Sequence, residues 1–189
     1  MNFIESLNEN IQNIKTLISD SDLQSRIESA IKILTENVLQ ENPILICGNG
    51  GSAADAEHIT GELVGRFLKE RKAINAISLN SNSAAITAWS NDYEYESVFE
   101  RQVEAHGKNG GVVFLISTSG NSENTLRAAK KAKEMKLKVI SLTGESGGRL
   151  KDFSDVLLNV PSTKTPRIQE MHILIYHYIC EEIEKRYAG

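Results

Sequence analysis

Short, continuously apolar runs alternate with helical patterns over most of the chain, and this alternation constrains the fold more than any other feature. Apolar residues at every position of a run are typical of a parallel strand that is covered by helices on both faces. Strands that alternate with helices predict a doubly wound α/β domain with a five-stranded parallel sheet. The predicted strands are 44–47, 73–79, 112–116, 138–142 and 155–160, and the predicted helices are 53–70, 83–90, 95–106, 122–135 and 167–187.

Two amphipathic helices are predicted before the first strand. Apolar residues recur at three- and four-residue spacing from Phe3 to Ile18 and again from Leu23 to Val38. We expect an N-terminal helical arm at 1–41, which forms one structural unit with an α/β domain at 42–189. Because this pair of helices has too few partners to bury both stripes, we expect it to pack on the final helix or on another subunit, and we predict an oligomer.

Composition narrows the range of partners. The chain has 189 residues, a formal net charge of −4 and no block of Lys or Arg, which argues against a nucleic-acid or membrane partner. Cys47 and Cys180 lie in apolar runs, and we expect two free buried thiols in a reducing compartment rather than a disulfide. The N-terminal sequence does not resemble a signal peptide, and no apolar stretch is long enough to cross a bilayer. These features predict a cytoplasmic protein.

The first candidate binding loop is CGNGGSAADAEH at 47–58, directly after the first predicted strand. Its glycines, Gly50 among them, permit a tight turn and a close approach of the backbone to a ligand, with Asn49 and Ser52 beside them. Ser52 lies where the next helix begins, and the N–H groups of a helix N-terminus bind anions. The alternative is a plain turn between strand and helix.

The second candidate loop is ISTSGNSENT at 116–125, again at the end of a predicted strand. Ser117, Thr118, Ser119 and Ser122 bring four hydroxyl groups together, and such a cluster can bind phosphate without a cationic side chain. A helix start at Ser122 would explain one of these hydroxyls and leave the other three unexplained. In open α/β sheets, ligands bind outside the carboxyl ends of the strands, which is where both loops lie.

Two further groups of residues could carry chemistry. His58 and Glu62 are four residues apart on a predicted helix, so they share a face and can converge on one ion or substrate, although a solvated pair is the alternative. The final helix offers Gln169, His172 and His177. His172 lies among apolar residues, and we interpret it as a core histidine.

Taken together, these residues resemble the phosphoheptose isomerase family, which has the sugar-isomerase (SIS) type of phosphosugar-binding domain. The phosphate loop alone is shared by the wider SIS group, whereas His58, Glu62, Gln169 and His177 together select this family. The resemblance rests on GNGGSAADAEH (48–58), Glu62, SNDY (90–93), STSGNS (117–122), SLTG (141–144), and RIQEMHILI (167–175) with His177.

The resemblance implies interconversion of sedoheptulose 7-phosphate and D-glycero-D-manno-heptose 7-phosphate, the first step toward nucleotide-activated heptose for lipopolysaccharide, capsule or surface-layer glycans. It also implies a homotetramer with active sites at subunit interfaces, one zinc ion per subunit, and no nucleotide or organic cofactor. The implied zinc ligands are His58, Glu62, Gln169 and His177. The implied contacts to the sugar phosphate are Asn49, Gly50, Ser52, Ser117, Thr118, Ser119 and Ser122, with Asn91 and Asp92 on the sugar.

The reaction needs a base that moves a proton between C1 and C2, for which we select Glu62, and an acid, for which we select His177. Because Gln169 and His177 are eight residues apart, they lie about 12 Å apart along one helix. Either Gln169 therefore precedes the regular helix, or residues of different chains assemble the site.

The chain departs from the family's usual pattern at Trp89, Glu94 and Pro166, beside the expected pocket. Two other functions are compatible with the fold, namely a non-catalytic protein that associates with a replication initiator and a phosphosugar-sensing regulator. The presence of Glu62 and His177 favours the enzyme over the first, and the lack of a helix-turn-helix extension argues against the second.

Overall fold

The structure, a computed structural model, describes residues 2–188 and contains a five-stranded parallel sheet. The strands are β1 Ile44–Gly48, β2 Ala76–Ser78, β3 Val112–Ser117, β4 Lys138–Thr143 and β5 Val156–Asn159, and their order in the sheet is β2-β1-β3-β4-β5. The order reverses between β1 and β3, since the chain moves from β1 outward to β2 and then returns to the other side of β1. A crevice forms at such a reversal, outside the carboxyl ends of the two strands.

Helices cover both faces of this sheet. Those of residues 2–188 are α1 Phe3–Ser19, α2 Ser21–Leu39, α3 Gly51–Val64, α4 Ser83–Asp92, α5 Val98–His106, α6 Glu123–Glu134 and α7 Thr165–Ala188, with 3-10 turns at Tyr95–Ser97 and Gly148–Asp152. The side chains of β1 alternate between two cores: Ile46 faces the core with α2, α3 and α7, and Leu45 faces the core with α5 and α6. The predicted α/β class and five-stranded sheet are confirmed.

The N-terminal helices are packed unequally. Helix α2 lies in the core against α7, whereas α1 has no buried residue among those described. The apolar stripe of α1 is exposed, with Phe3 at 75% and Ile18 at 70%. Two polar contacts join α1 to the start of α7, from Lys164 to Glu9 and from Arg167 to Ser6. The stripe thus remains available to another copy of the chain, and the division at residue 41 stays a prediction.

The bounds of β2 and α3 differ from the predicted ones more than those of the other elements. Strand β2 is limited to Ala76–Ser78 within the predicted 73–79, because this edge strand pairs only with β1. The predicted helix 53–70 is wrong at its C-terminal end, since α3 stops at Val64. The backbone N–H groups of Phe67, Leu68 and Lys69 donate instead to the Glu184 carboxylate, at 2.6–2.8 Å. A buried acceptor from α7 therefore fixes this segment as a loop.

Candidate active site

The loop after β1 carries the first part of the site. Gly50 has φ = 58°, a left-handed conformation that favours glycine, and it precedes the first turn of α3. At Gly51 a Cβ atom would lie only 2.2 Å from Nε2 of Gln169, so glycine is what allows α7 to bring this amide against the loop. Ser52 is buried in the same turn. The start of α3 therefore has an amide, from Gln169, and a hydroxyl, from Ser52, beside it.

The loop after β3 carries the second part. Ser122 is the N-cap residue of α6, yet its side chain makes no capping hydrogen bond and its Oγ lies 3.4 Å from Oγ of Ser117. The helix-start explanation for this hydroxyl is therefore insufficient. Gly120, with φ = 65°, turns the loop at a point where a Cβ atom would meet the carbonyl oxygen of Gly147 at 2.1 Å. Ser117 and Ser122 line the cavity at the crevice between β1 and β3.

The two loops enclose a cavity of about 100 Å³ at this crevice. Hydroxyl and amide groups dominate its wall, and the described residues that line it include no Lys or Arg. An anion would be bound there by neutral hydroxyl and amide donors and by the positive ends of the α3 and α6 dipoles, which is a usual way of holding phosphate. The lining residues are Asn49, Ser52, Ile116, Ser117, Thr118, Ser122, Thr165 and Gln169.

Some predicted contacts lie outside this lining. Ser119 is exposed, and its Oγ accepts from the backbone N–H of Asn121 at 3.1 Å. Asn91 and Asp92, at the end of α4, are exposed and bond to each other at 2.9 Å. The described chain does not bring these three side chains into the cavity, and their contact with substrate stays a prediction.

The amide of Asn49 is already held by protein groups. Its Oδ1 accepts from Nδ2 of Asn124 and from the hydroxyl of Tyr95, each at 2.9 Å, and its Nδ2 donates to Oδ1 of Asn124. Asn124 and Tyr95 thus orient the first loop. Sequence reasoning missed both residues and also Thr165, because only the tertiary structure places them beside the loop.

A second cluster lies two to three turns farther along α3 and α7. Nε2 of His58 is 3.1 Å from Oε1 of Glu62 and 3.5 Å from Nε2 of His177. One donor atom from each of the three residues lies within 4.8 Å of the other two. Two imidazole nitrogens and one carboxylate oxygen form a ligand set typical of Zn²⁺. The side chains are partly exposed, which leaves a face of the cluster open to a further ligand.

Gly51 faces Gln169 near the start of both helices, and His58 faces His177 about two turns farther along. Helices α3 and α7 therefore run side by side in the same direction. Gln169 lies within α7, which begins at Thr165, so the alternative in which Gln169 precedes the helix is wrong. In this chain its amide lies at the phosphate-type cavity, about 12 Å along the helix from His177. The assembly of the site from residues of different chains stays a prediction.

The other predicted histidine and both cysteines belong to the interior. His172 is fully buried, and its Nε2 bonds to the carbonyl oxygen of Thr143 at 3.2 Å. Burial lowers the pKa of His172 to about 4, so it is neutral and donates this bond. Cys47 and Cys180 are buried and free, and burial raises the pKa of both thiols, that of Cys180 to about 12. These assignments agree with those made from the sequence.

Comparison with known proteins identifies the family to which the chain belongs. The sequence profile of the SIS domain matches residues 3–144. The chain is 52% identical over 166 residues to the phosphoheptose isomerase of Helicobacter pylori (strain ATCC 700392 / 26695), covering 88% of this chain and 86% of that protein. It is 45% identical to the phosphoheptose isomerase of Clostridium acetobutylicum, over all of this chain and 96% of that protein.

A solved structure agrees with these sequence matches. The phosphoheptose isomerase of Neisseria gonorrhoeae superimposes with a TM-score of 0.90 at 39% identity, over 96% of each chain. The fold and the crevice define a sugar-isomerase type of domain. The chain belongs to the SIS domain family and, within it, to the phosphoheptose isomerases. It is an aldose–ketose isomerase, as the sequence predicted.

No helix among residues 2–188 combines the length and the apolar character that are needed to span a membrane.

Proposed function

We propose that this isomerase interconverts sedoheptulose 7-phosphate and D-glycero-D-manno-heptose 7-phosphate, and so supplies heptose for nucleotide activation and surface glycans. The observation that carries the proposal is the convergence of His58, Glu62 and His177 within 4.8 Å on the same two helices whose first turns line the hydroxyl-rich cavity. The His58–Glu62–His177 cluster suits proton transfer next to a cation, and the hydroxyl-rich cavity suits the binding of a phosphate. The names of the relatives, phosphoheptose isomerase, support this substrate.

In the proposed mechanism Glu62 is the base. Its carboxylate removes a proton from C1 of the ketose and returns it to C2 of the resulting enediolate, which yields the aldose. His177, whose Nε2 lies 3.5 Å from Nε2 of His58, exchanges the proton between the two oxygens and opens the sugar ring. A bound Zn²⁺ would supply Lewis-acid stabilisation of the developing oxyanion.

We assign zinc to the His58–Glu62–His177 cluster because its donor set fits that ion. Gln169 is the proposed fourth ligand. The 12 Å between Gln169 and His177 along α7 favours a ligand from a second chain, and so favours sites at subunit interfaces. A carboxylate bound to zinc is a weaker base, so Glu62 serves both roles only when its bond to the metal is loose.

The phosphate is proposed to bind at the N-termini of α3 and α6, among the hydroxyls of Ser52, Ser117 and Ser122. Gly50, Thr118 and Ser119 are proposed to complete this binding site, and Asn91 and Asp92 to contact the sugar. In this proposed orientation of the substrate, its phosphate end lies at the crevice between β1 and β3, and its reacting end points toward the histidine cluster.

We propose a homotetramer in the cytoplasm. Exposed apolar residues on α1, such as Phe3 and Ile4, and on the outer face of α7, such as Leu174 and Tyr178, give other subunits a surface to cover. The α7 surface directly flanks His177, so a partner seated on it would also enclose the catalytic cluster. Two buried free thiols are compatible with a reducing compartment.

Turnover of sedoheptulose 7-phosphate by the purified protein tests the proposal directly. We expect conversion to the heptose phosphate in a coupled assay without a nucleotide or organic cofactor. Removal of metal by a chelator should abolish the rate, and Zn²⁺ should restore it. Absence of turnover with metal supplied would favour a non-catalytic binding protein of the same fold.

A further inference from the structure

Tyr176 connects the histidine cluster to a partly buried carboxylate, that of Asp55. The residue lies next to His177 on α7, but its side chain points inward and is 1% exposed. Its hydroxyl is 3.0 Å from Nδ1 of His58 and 3.3 Å from Oδ1 of Asp55. Asp55 lies on α3, one turn before His58, and its other oxygen, Oδ2, is buried without a hydrogen-bond partner among residues 2–188.

The number of protons available fixes the direction of these bonds. An ionised Asp55 can only accept, and the Tyr176 hydroxyl has one proton. When the hydroxyl donates that proton to Asp55, the Tyr176 oxygen accepts a hydrogen bond from the Nδ1–H group of His58. In the opposite arrangement the hydroxyl donates to His58, and both oxygens of Asp55 lack a donor from the described protein. The first arrangement gives the Tyr176 hydroxyl, Nδ1 of His58 and Oδ1 of Asp55 a partner each. The second leaves the whole Asp55 carboxylate without a donor, which is unfavourable for a partly buried charge.

The first arrangement also fixes what His58 presents to the site. With its proton on Nδ1, a neutral imidazole has a lone pair on Nε2. Nε2 is the atom that faces Glu62 at 3.1 Å and His177 at 3.5 Å. A lone pair at this position can bind a cation, whereas N–H at this position would donate to Glu62 and occupy the same space.

We propose that Tyr176 and Asp55 are positioning residues that hold His58 in its Nδ1–H tautomer and direct the Nε2 lone pair into the space shared with Glu62 and His177. This inference rests on the proposed cation site and deepens it. Groups that orient a metal-bound histidine commonly change metal affinity 10- to 100-fold when they are removed.

The test measures the tautomer directly in full-length protein freed of metal. Long-range ¹H–¹⁵N correlation spectra of ¹⁵N-histidine-labelled protein, at mildly alkaline pH, distinguish Nδ1–H from Nε2–H, and a His58→Gln variant assigns the signal. We expect Nδ1–H in the unmodified chain. Tyr176→Phe and Asp55→Asn should each shift the signal toward Nε2–H, and the second variant leaves the buried ring in place.

Tyr178→Phe is the matched control, because its hydroxyl is on the same helix and donates to Glu28, away from the cluster. It should leave the tautomer unchanged. Zn²⁺ affinity, measured by competition with a chelator, should fall about 10- to 100-fold in Tyr176→Phe and stay constant in Tyr178→Phe. An Nε2–H signal in the unmodified chain, or an unaltered signal in a folded Tyr176→Phe variant, would overturn the inference. If the expected tautomers appear but the unmodified chain does not bind Zn²⁺, the metal assignment fails and the tautomer assignment stands.

Discussion

Oε1 of Glu184 lies 3.3 Å from Nε of Arg71, and both side chains are only 2% exposed. This ion pair joins the loop after α3 to the last part of α7. Arg71 also donates to the backbone carbonyl oxygen of Glu62 at 2.7 Å. The end of the helix that carries the proposed base is therefore attached to the helix that carries His177 by buried charges and backbone hydrogen bonds.

Replacing Glu184 by Gln should destabilise the protein by roughly 3 kcal/mol, because it leaves the Arg71 guanidinium buried without its counter-charge. Urea unfolding at fixed protein concentration measures this change. Glu181→Gln is the control, since Glu181 pairs with Lys185 on the surface of the same helix and its loss should cost less than about 1 kcal/mol. Equal midpoints for the two variants would contradict a stabilising role for the buried pair.

The Glu184 carboxylate should also make the stability of the protein depend on pH. Burial opposes ionisation of Glu184, but three backbone N–H groups and Arg71 outweigh it and hold its pKa below the ordinary value of 4.5. Because the folded state binds this proton less readily than the unfolded chain, the stabilisation is complete above about pH 4.5 and is lost as the pH falls further. Over this acidic range the unfolding free energy should decline more steeply in the unmodified chain than in Glu184→Gln.

Gly51→Ala should disturb binding more than stability. The added Cβ would meet the end of the Gln169 side chain at 2.2 Å, and a flexible amide can move away at little energetic cost. We expect a folded protein with a raised KM, a lowered kcat, or both, measured in the coupled assay. Gly61→Ala, on the same helix with no atom within 4 Å of its added Cβ, should keep its kinetics and gain up to about 1 kcal/mol of helix stability. Unchanged kinetics in Gly51→Ala would remove Gln169 from the site.

Ser122→Ala should weaken phosphate binding, because the hydroxyl of Ser122 does not cap α6 and Ser122 lines the cavity. A lost hydrogen bond to a charged group is worth about 1.5–3 kcal/mol, which corresponds to a rise in KM of roughly 10- to 150-fold. Adding Ser119→Ala should raise KM further. Ser29→Ala, which removes an exposed hydroxyl on α2, is the control. Normal binding of a non-isomerisable sugar phosphate by the folded double variant would show that phosphate binds elsewhere.

The sequence predicted the sheet because continuous apolar runs are a local property, and it paired His58 with Glu62 because their spacing lies within one helix. It could not place the end of α3, since the acceptor that holds the loop, Glu184, is 117 residues from Phe67. The contact of Tyr176 with His58 spans 118 residues and follows no motif. Contacts of this kind cannot be predicted from local sequence patterns, because they form only when α3 and α7 pack together.

Exchange of subunits between inactive variants tests whether the site is shared. His58, Glu62 and His177 converge within one chain, so Glu62→Gln and His177→Gln damage the same cluster. Each variant should fold, bind sugar phosphate and lose nearly all turnover, and a mixture of the two should stay inactive. Near-normal turnover by either single variant would remove that residue from the mechanism.

The informative mixture combines Glu62→Gln with the Ser119→Ala/Ser122→Ala double variant. If the cluster of one chain acts on a phosphate held by its neighbour, random exchange produces about a quarter of sites in which both parts are intact. Activity should then rise well above that of either parent, assayed at a substrate concentration that does not saturate the double variant. Exchange verified by mass spectrometry without any gain in rate would mean that each chain holds the phosphate and the catalytic cluster of its own site.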